Sequence, residues 1–468
     1  MSNKQIVYPY IPNSVPEVKA EMMKLIGIND PMELYEREIP EELRFKGEMQ
    51  LPEPIYDEYS IKRHTEDLLN KNKNAKDYLC FLGAGCAPHF VPAVCDEING
   101  RGEFLTAYVG ESIADHGKWQ AFFEYASLMA ELCDMDVLSI PMYDGAAAAA
   151  SSIRMSNRIN SRGTVLVPEK MNPENMMVLK NYMNSMPEPD IKIVTLKCDA
   201  AGLVDVADLR SKISSDVCAV FIENPTYLGS VEVKAGEIGK IAKEAGAEFV
   251  VYTDPISLGV MEAPANYGAT ITCGDFHTLG LHLGAGGCQG GFIATFDDMK
   301  YISEFKDLMF GITETSVEGE YGFGEVLFDR TSYGSRDKAN EFTGTSTGLW
   351  AITAGVYLAI MGPKGMEEVG TTIMQRSQYA AKKIAEIPGI EVKMSGPFFK
   401  EFVVDFNMTG KTVADINKAL LGYKILGGKD LSFDFPEMGQ SALFCVTEIH
   451  TKEDIDKLTY ALKGIVGC

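Results

Sequence analysis

The stretch VVYTDPISLG runs from apolar, strand-length sequence into one carboxylate, Asp254, followed at once by Pro255. In open α/β sheets ligands bind beyond the carboxyl ends of the strands, so an aspartate emerging there faces a crevice and could hold a protonated ring nitrogen. The plainer alternative is an aspartate that caps the turn ahead of the proline. Tyr143, Asp144 and Gly145, in IPMYDGAAAAASS, lie where a strand gives way to a helix start. Backbone N–H groups at such a start, with the positive end of the helix dipole, suit a phosphate. With a single glycine, a purely structural turn reads equally well. Asn224 and Pro225, in IENPTYLGSVE, make a turn after a third apolar run and before the aromatic Tyr227.

Phosphate-like turn, Asn-Pro loop and strand-end aspartate follow one another as in an aminotransferase-like large domain. That fold uses pyridoxal phosphate, with the aspartate keeping the pyridine nitrogen protonated. It also needs a lysine for the internal aldimine, on the strand or turn soon after the aspartate. Between Lys243 and Lys300 the chain has none. The segment TCGDFHTLGLHLGAGGCQGGF stands there, with His277 and His282, and an imidazole cannot form the Schiff base. Alone, the chain is expected not to run amino-acid chemistry on this cofactor. Cys86 and His89 have Cys-x2-His spacing, and Asp275, His277 and His282 are close in sequence. No second close pair completes a tetrahedral set, so no metal is expected, and a buried thiol is the simpler role for Cys86.

Positioning these residues requires a sheet. TVLVPE, IKIVTLK, VCAVFIENP, FVVYTDP, ATITCGD and GGFIATF alternate with helical stretches, which implies a mostly parallel α/β sheet over residues 61–330. Ahead of it, GKWQAFFEYASLMAELC sets Trp119, Phe122, Phe123, Ala126, Met129, Ala130 and Cys133 on one helical face. Residues 1–60 read as an arm of short helices anchored by Tyr8, Tyr10, Leu25, Ile26 and Leu34. Residues 331–468 read as a long linking helix, GLWAITAGVYLAIMGPKGMEEVGTTIMQRSQYAAKKIAEI, and a smaller α+β domain. At 468 residues, two cores are the expectation.

Lys and Arg number 43 against 66 Asp and Glu, a net charge of -23. Such a field repels phosphate backbones and anionic lipid, arguing against nucleic acid or a membrane surface as partner. Ten cysteines without CxxC pairs, among them Cys133 and Cys218 in apolar runs, fit free thiols in a reducing compartment. The start MSNKQIVYPYIPNS carries no apolar signal region, and no run reaches the roughly 18 apolar residues that span a bilayer. A soluble, cytoplasmic protein is expected.

YPYIPNS, IPEELR, FLGAG, FFEYASLMAEL, MYDGA, DPISLG with its glycine-rich sequel, LAIMGPKGM, GPFFKEFVV and VTEIHTKEDID occur in one order along nearly the whole chain. In this the chain resembles the alpha subunit of the glycine cleavage system P-protein, the two-subunit glycine decarboxylase. The resemblance implies the aminotransferase-like fold type I of pyridoxal-phosphate enzymes. It implies a related beta subunit that holds the lysine-bound cofactor, in a heterodimer or heterotetramer, with none bound covalently here. The pair would decarboxylate glycine and pass the aminomethyl group to a lipoyl carrier, the H-protein. On that reading no residue of this chain is certainly catalytic. His89, His116 and His277 are candidates, while Tyr143, Asp144, Gly145, Asn224, Asp254, His277, Arg336 and Lys338 are vestigial or partner-facing cofactor positions.

The departures cluster. VGESIADHG (109–117) replaces the family's Tyr-Gln-Pro-Glu-Ile-Ser-Gln-Gly, and Cys86, Ala87 and Pro88 precede His89. Ala147 stands where MYDGAT would bring a hydroxyl, and SRDKANEF keeps only Arg336, Lys338 and Ala339 of Arg-Arg-Glu-Lys-Ala-Thr-Ser-Asn. A paralogue acting with its partner on another amino acid or amine, or a non-catalytic scaffold subunit, are the alternatives.

Overall fold

Seven strands make the principal sheet of the computed structural model, which describes residues 7–105, 116–184, 191–284, 290–342, 346–393 and 396–467. They are β1 (Val137–Leu138), β2 (Thr164–Pro168), β3 (Lys192–Leu196), β4 (Val217–Glu223), β5 (Glu248–Thr253), β6 (Ile271–Asp275) and β7 (Gly291–Thr295), in the order β1-β7-β6-β5-β4-β2-β3. Strands β2 to β6 pair in parallel, and β7 runs against both its neighbours. Every residue of β4 is buried. Its sequence is accordingly a continuous apolar run: Val220 and Ile222 enter one core, Ala219 and Phe221 another.

Helices cover the sheet as the sequence predicts. In α1 (Trp119–Cys133), Phe122, Tyr125, Met129, Ala130 and Cys133 are buried. In α2 (Gly145–Asn160) the run Ala147 to Ala150 is almost inaccessible to solvent. Its methyl groups allow close approach, and Gly291 of β7 has no side chain because the Asp144 carbonyl lies over its Cα. The crossovers α3 (Pro173–Met183), α4 (Val206–Lys212) and α5 (Ala235–Glu244) complete the layers.

The linking helix differs from its prediction as one element. Helical hydrogen bonding spans α6 (Gly348–Ala385), but Gly362 has φ 57° and ψ -178°, and Pro363 follows. Two helices therefore meet at a break. A proline has no N–H for the preceding turn and disfavours helical geometry in the residue before it, which here is a glycine able to take positive φ.

The smaller sheet is antiparallel: β8 (Glu391–Lys393), β9 (Glu401–Asp405), β10 (Lys429–Asp430) and β11 (Ser441–Cys445), in the order β8-β9-β11-β10. Its core takes Phe402 and Val404 from β9, Ile416 and Leu420 from α7 (Val413–Leu420), Leu458 and Leu462 from α8 (Lys452–Val466), and Ala380 and Ile384 from the end of α6. Thr451 and Asp454 close a capping box on α8. Leu79 and Cys80 pair with Ile425 and Leu426, and the Phe81 carbonyl accepts from Cys445 N at 2.9 Å. The FLGAG segment is thereby tied to the small sheet.

The chain divides into two compact units, Met1–Asn72 and Lys73–Cys468. The first holds helices Pro16–Ile26, Met32–Glu38 and Glu58–Leu69. Among its described residues only Ile28 is buried. Among the described residues no helix is long and apolar enough to cross a membrane.

Candidate functional site

Three neighbouring parallel strands each deliver a carboxylate to the same edge of the large sheet: Glu223 ends β4, Asp254 follows β5 and Asp275 ends β6. From the small sheet come Glu401, the first residue of β9, and Lys400 just before it, and from the end of FLGAG and the residues after it come Gly85 and Ala87. Together with His277 and Tyr227 these line a cavity of about 70 Å³.

Lys400 is the centre of the arrangement. Its Nζ lies 2.5 Å from Asp254 Oδ2 and 3.4 Å from His89 Nε2. Asp254 Oδ2 faces the ammonium, while Oδ1 accepts from Thr278 Oγ1 at 3.0 Å and from Ile256 N at 3.2 Å. Burial alone would neutralise both groups. The carboxylate's charge outweighs it at Lys400, whose pKa rises. The ammonium outweighs it at Asp254, whose pKa falls. Both are ionised at neutral pH. His89 is pushed down by its burial, against the pull of Glu448. A neutral ring accepting from Lys400 at Nε2 donates through Nδ1 to Glu448 Oε2 at 2.8 Å.

The backbone fixes this lysine. Phe399 N donates to the Gly229 carbonyl at 3.3 Å, Val231 N to that of Pro397 at 2.8 Å, and Ser230 bridges Phe398. Gly229 has φ +96°, and a Cβ there would overlap the Glu401 carbonyl. Only glycine lets the loop after Tyr227 lie flat against β9.

At the other end, Asp275 caps α2. Its Oδ2 accepts from Gly145 N at 3.1 Å, and its Oδ1 accepts from the backbone N and Nδ1 of His277, both at 2.9 Å. Ala87 N donates to His277 Nε2 at 3.2 Å. Asp144 accepts from Ala147 N at 2.7 Å. Gly145 itself is packed under the Tyr252 hydroxyl and Asp275. Glu223 accepts from Asn172 N, Asn175 Nδ2 and Tyr227 N, yet burial raises its pKa to about 7. Burial raises Glu401 as well, while its Oε1 accepts from Ala84 N at 2.5 Å.

The structure thus gathers His89, His277, Asp254, Asp144 and Gly145 around one crevice. It sets others apart. Asn224 uses Oδ1 on Glu232 N and Nδ2 on the Tyr267 hydroxyl. Tyr143, Arg336 and Lys338 are exposed, as is His282, which pairs with Asp96. The His116 side chain and residues 109–115 lie outside the described residues. Burial pushes the Cys86 thiol up to about 11, which disqualifies it as a nucleophile. A larger groove of about 700 Å³ beside the α6 break is mostly aliphatic, with Glu131 and Glu367 its acids, and has no converging polar set. Sequence reasoning missed Lys400, Glu401 and Glu223, although a Lys-Glu pair heading an apolar strand and a second strand-end carboxylate were visible.

Pyridoxal phosphate does not fit these residues. Among the described residues the crevice leaves about 70 Å³, against the roughly 300–1,000 Å³ of ligand pockets. A phosphate at the start of α2 would meet the Asp275 carboxylate. Among the described residues the amine that meets the Asp254 carboxylate is that of Lys400, held there as an ammonium and so not free to condense with an aldehyde.

The chain is similar to known proteins over nearly its whole length. The family described as glycine cleavage system P-protein matches residues 9–462. Probable glycine dehydrogenase (decarboxylating) subunit 1 of Staphylothermus marinus is 38% identical, covering 98% of both chains. The protein of the same name from Brevibacillus brevis is 34% identical, over 98% of this chain and 99% of its own. A crystal structure of glycine decarboxylase (P-protein) in inhibitor-bound form superposes with a TM-score of 0.84 at 32% identity, covering 98% of this chain and 100% of that one. A NifS-like protein from Rickettsia africae, 14% identical with a TM-score of 0.61 over 84% of this chain and all of its own, shares the fold alone.

Proposed function

The chain belongs to the glycine cleavage system P-protein family, and from that premise we propose that it is the alpha subunit, subunit 1, of a two-subunit glycine dehydrogenase (decarboxylating). A related beta subunit holds the lysine-bound pyridoxal phosphate, which supplies the electron sink for decarboxylation. The lipoyl H-protein visits the pair to collect the aminomethyl group, in the cytoplasm. The observation that carries this division of labour is the strand-end crevice, where no lysine follows Asp254 before Lys300 and Lys400 is committed to Asp254.

In this reading the chain's own residues shape and support the shared site. Tyr143, Arg336 and Lys338, exposed at the surface, face the partner, and residues 1–60 serve as an arm that packs on it. His89, His116 and His277 are the candidates for proton handling at the shared site. The domain limits 61–330 and 331–468 belong to the same proposal.

Co-expression with a related, lysine-bearing chain tests the reading. A stoichiometric complex that exchanges bicarbonate into glycine in the presence of the H-protein is the expected result. A chain that purifies alone with an internal aldimine would refute it.

A second reading keeps the pairing and changes the amine. Glu341 favours it, since this residue of the altered SRDKANEF segment is drawn among Lys306 at 3.1 Å, Arg158 at 3.5 Å and Arg154 at 3.6 Å. A complex with bound cofactor and no glycine exchange would select it.

A further inference from the structure

The crevice has the layout of a cofactor site and the contents of an ion pair. Asp254 sits where a fold type I enzyme holds a protonated ring nitrogen, and the N-terminus of α2 sits where it holds a phosphate. Each is already matched in charge by a neighbour. We propose that this chain occupies its own cofactor site. Lys400 Nζ replaces the ring N–H on Asp254, the Asp275 carboxylate replaces the phosphate on Gly145 N, and pyridoxal phosphate is excluded free as well as covalently bound. The same contacts latch the small domain to the large sheet.

The substitution of charge for charge is close. An ammonium presents Asp254 with the same unit positive charge as a pyridinium, at 2.5 Å. Nor is Lys400 a surface lysine that could swing away, being only 8% exposed. Its own carbonyl accepts from Val446 N at 2.9 Å, and the preceding Phe399 is bonded to Gly229. Asp275 is equally fixed, by the His277 backbone and ring and by Gly145. An incoming phosphate would add two negative charges beside that carboxylate and find its N–H donor taken. To admit the cofactor, the chain would have to break the Lys400 ion pair and open a volume several times the present cavity.

The proposal uses the functional reading only to name the cofactor, and its test separates the two. The full-length chain, purified alone, is mixed with pyridoxal phosphate and desalted, and retained cofactor is read from its absorbance and induced circular dichroism. Wild type is expected to retain none. Lys400→Ala, with unchanged far-ultraviolet dichroism, is expected to bind it non-covalently at least roughly tenfold more tightly than wild type, and adding Asp254→Asn is expected to cancel the gain.

Non-covalent, stoichiometric retention by wild type that Asp254→Asn abolishes would overturn the proposal and leave the functional reading standing. A borohydride-stable lysine adduct in wild type would sink both. A folded Lys400→Ala chain that gains no affinity also overturns the proposal. Should that variant not fold, Lys400→Met and Asp254→Asn are compared singly and together by thermal midpoint. The double variant is expected to recover part of what each single change loses, and strictly additive losses would refute the latch.

Discussion

The crevice and the N-terminal unit are opposite in how they settle their side chains. In the crevice, groups that prefer water are buried and each finds a partner within the chain: Asp254 on Lys400, Asp275 on Gly145 N and His277, His89 on Glu448. In the unit Met1–Asn72, groups that avoid water are left in it. Tyr10 is 96% exposed, Leu25 85% and Tyr56 88%. A monomer seldom displays so many large apolar side chains without something to cover them. The first region is paired within the chain, and in the second the large apolar side chains are exposed. Stability should therefore respond to changes in the crevice, and association to changes in the arm.

The largest effect is expected where a single charge is stranded. Lys400→Met leaves Asp254 buried beside an alkyl chain, and removing one member of a buried pair costs about 3–5 kcal/mol. Denaturant unfolding of the full chain measures it, and a loss below about 1 kcal/mol would break the claim that the crevice is internally paired.

Next comes pH. The pKa of Glu223 is raised from 4.5 to about 7 by burial. A group raised in the folded state adds stability that is full below its unfolded value and lost as pH climbs through its folded one. Unfolding free energy should thus fall by on the order of 1 kcal/mol per pH unit between those values. Glu223→Gln, whatever its own cost, should flatten that slope. Asp254, depressed by Lys400 once its burial is overcome, works in the other direction and in a more acidic window, losing its contribution as pH falls below its ordinary value of 3.8. An unchanged slope in Glu223→Gln would assign the neutral-range dependence elsewhere.

A smaller loss is expected from the backbone that carries the lysine. Gly229→Ala must place a methyl group against the Glu401 carbonyl at φ +96°, a strain of about 1–3 kcal/mol. Equilibrium unfolding and the retention of added pyridoxal phosphate should move together, because shifting β9 also shifts Lys400. Stability loss without any change in cofactor exclusion would show that the loop and the latch are independent.

The contrast also explains what sequence could tell. β4 and β5 were legible because strands buried on both faces must be apolar throughout, and α1 because its buried face repeats at helical spacing. The place of Asp254 just past a strand end was legible because the apolar run before it stops there. Lys400 was not, because it lies 146 residues further on and reaches Asp254 only where the small antiparallel sheet meets the large one. A search for an amine confined to the window after the aspartate could find its absence and not its replacement. Asp275 as the cap of α2 was hidden for the same reason: the helix begins at residue 145, long before β6 is made. The break in α6 was written in Gly362-Pro363 and masked by the apolar periodicity on either side.

The arm supplies the smallest expected effect on the chain itself, and for that reason the sharpest contrast. Tyr10→Ser and Leu25→Ser replace side chains that touch water already, so each should leave unfolding within about 0.5 kcal/mol of wild type. If a related subunit covers them, truncating a well-packed anchor costs more than about 1 kcal/mol of binding, several-fold in affinity. Titration of the partner subunit, followed by calorimetry, separates the two. A variant that unfolds earlier but binds normally would mean that the arm's apolar residues serve this chain's own fold. One that unfolds normally and binds poorly would place the missing half of their packing on the partner, where the division between the two regions requires it.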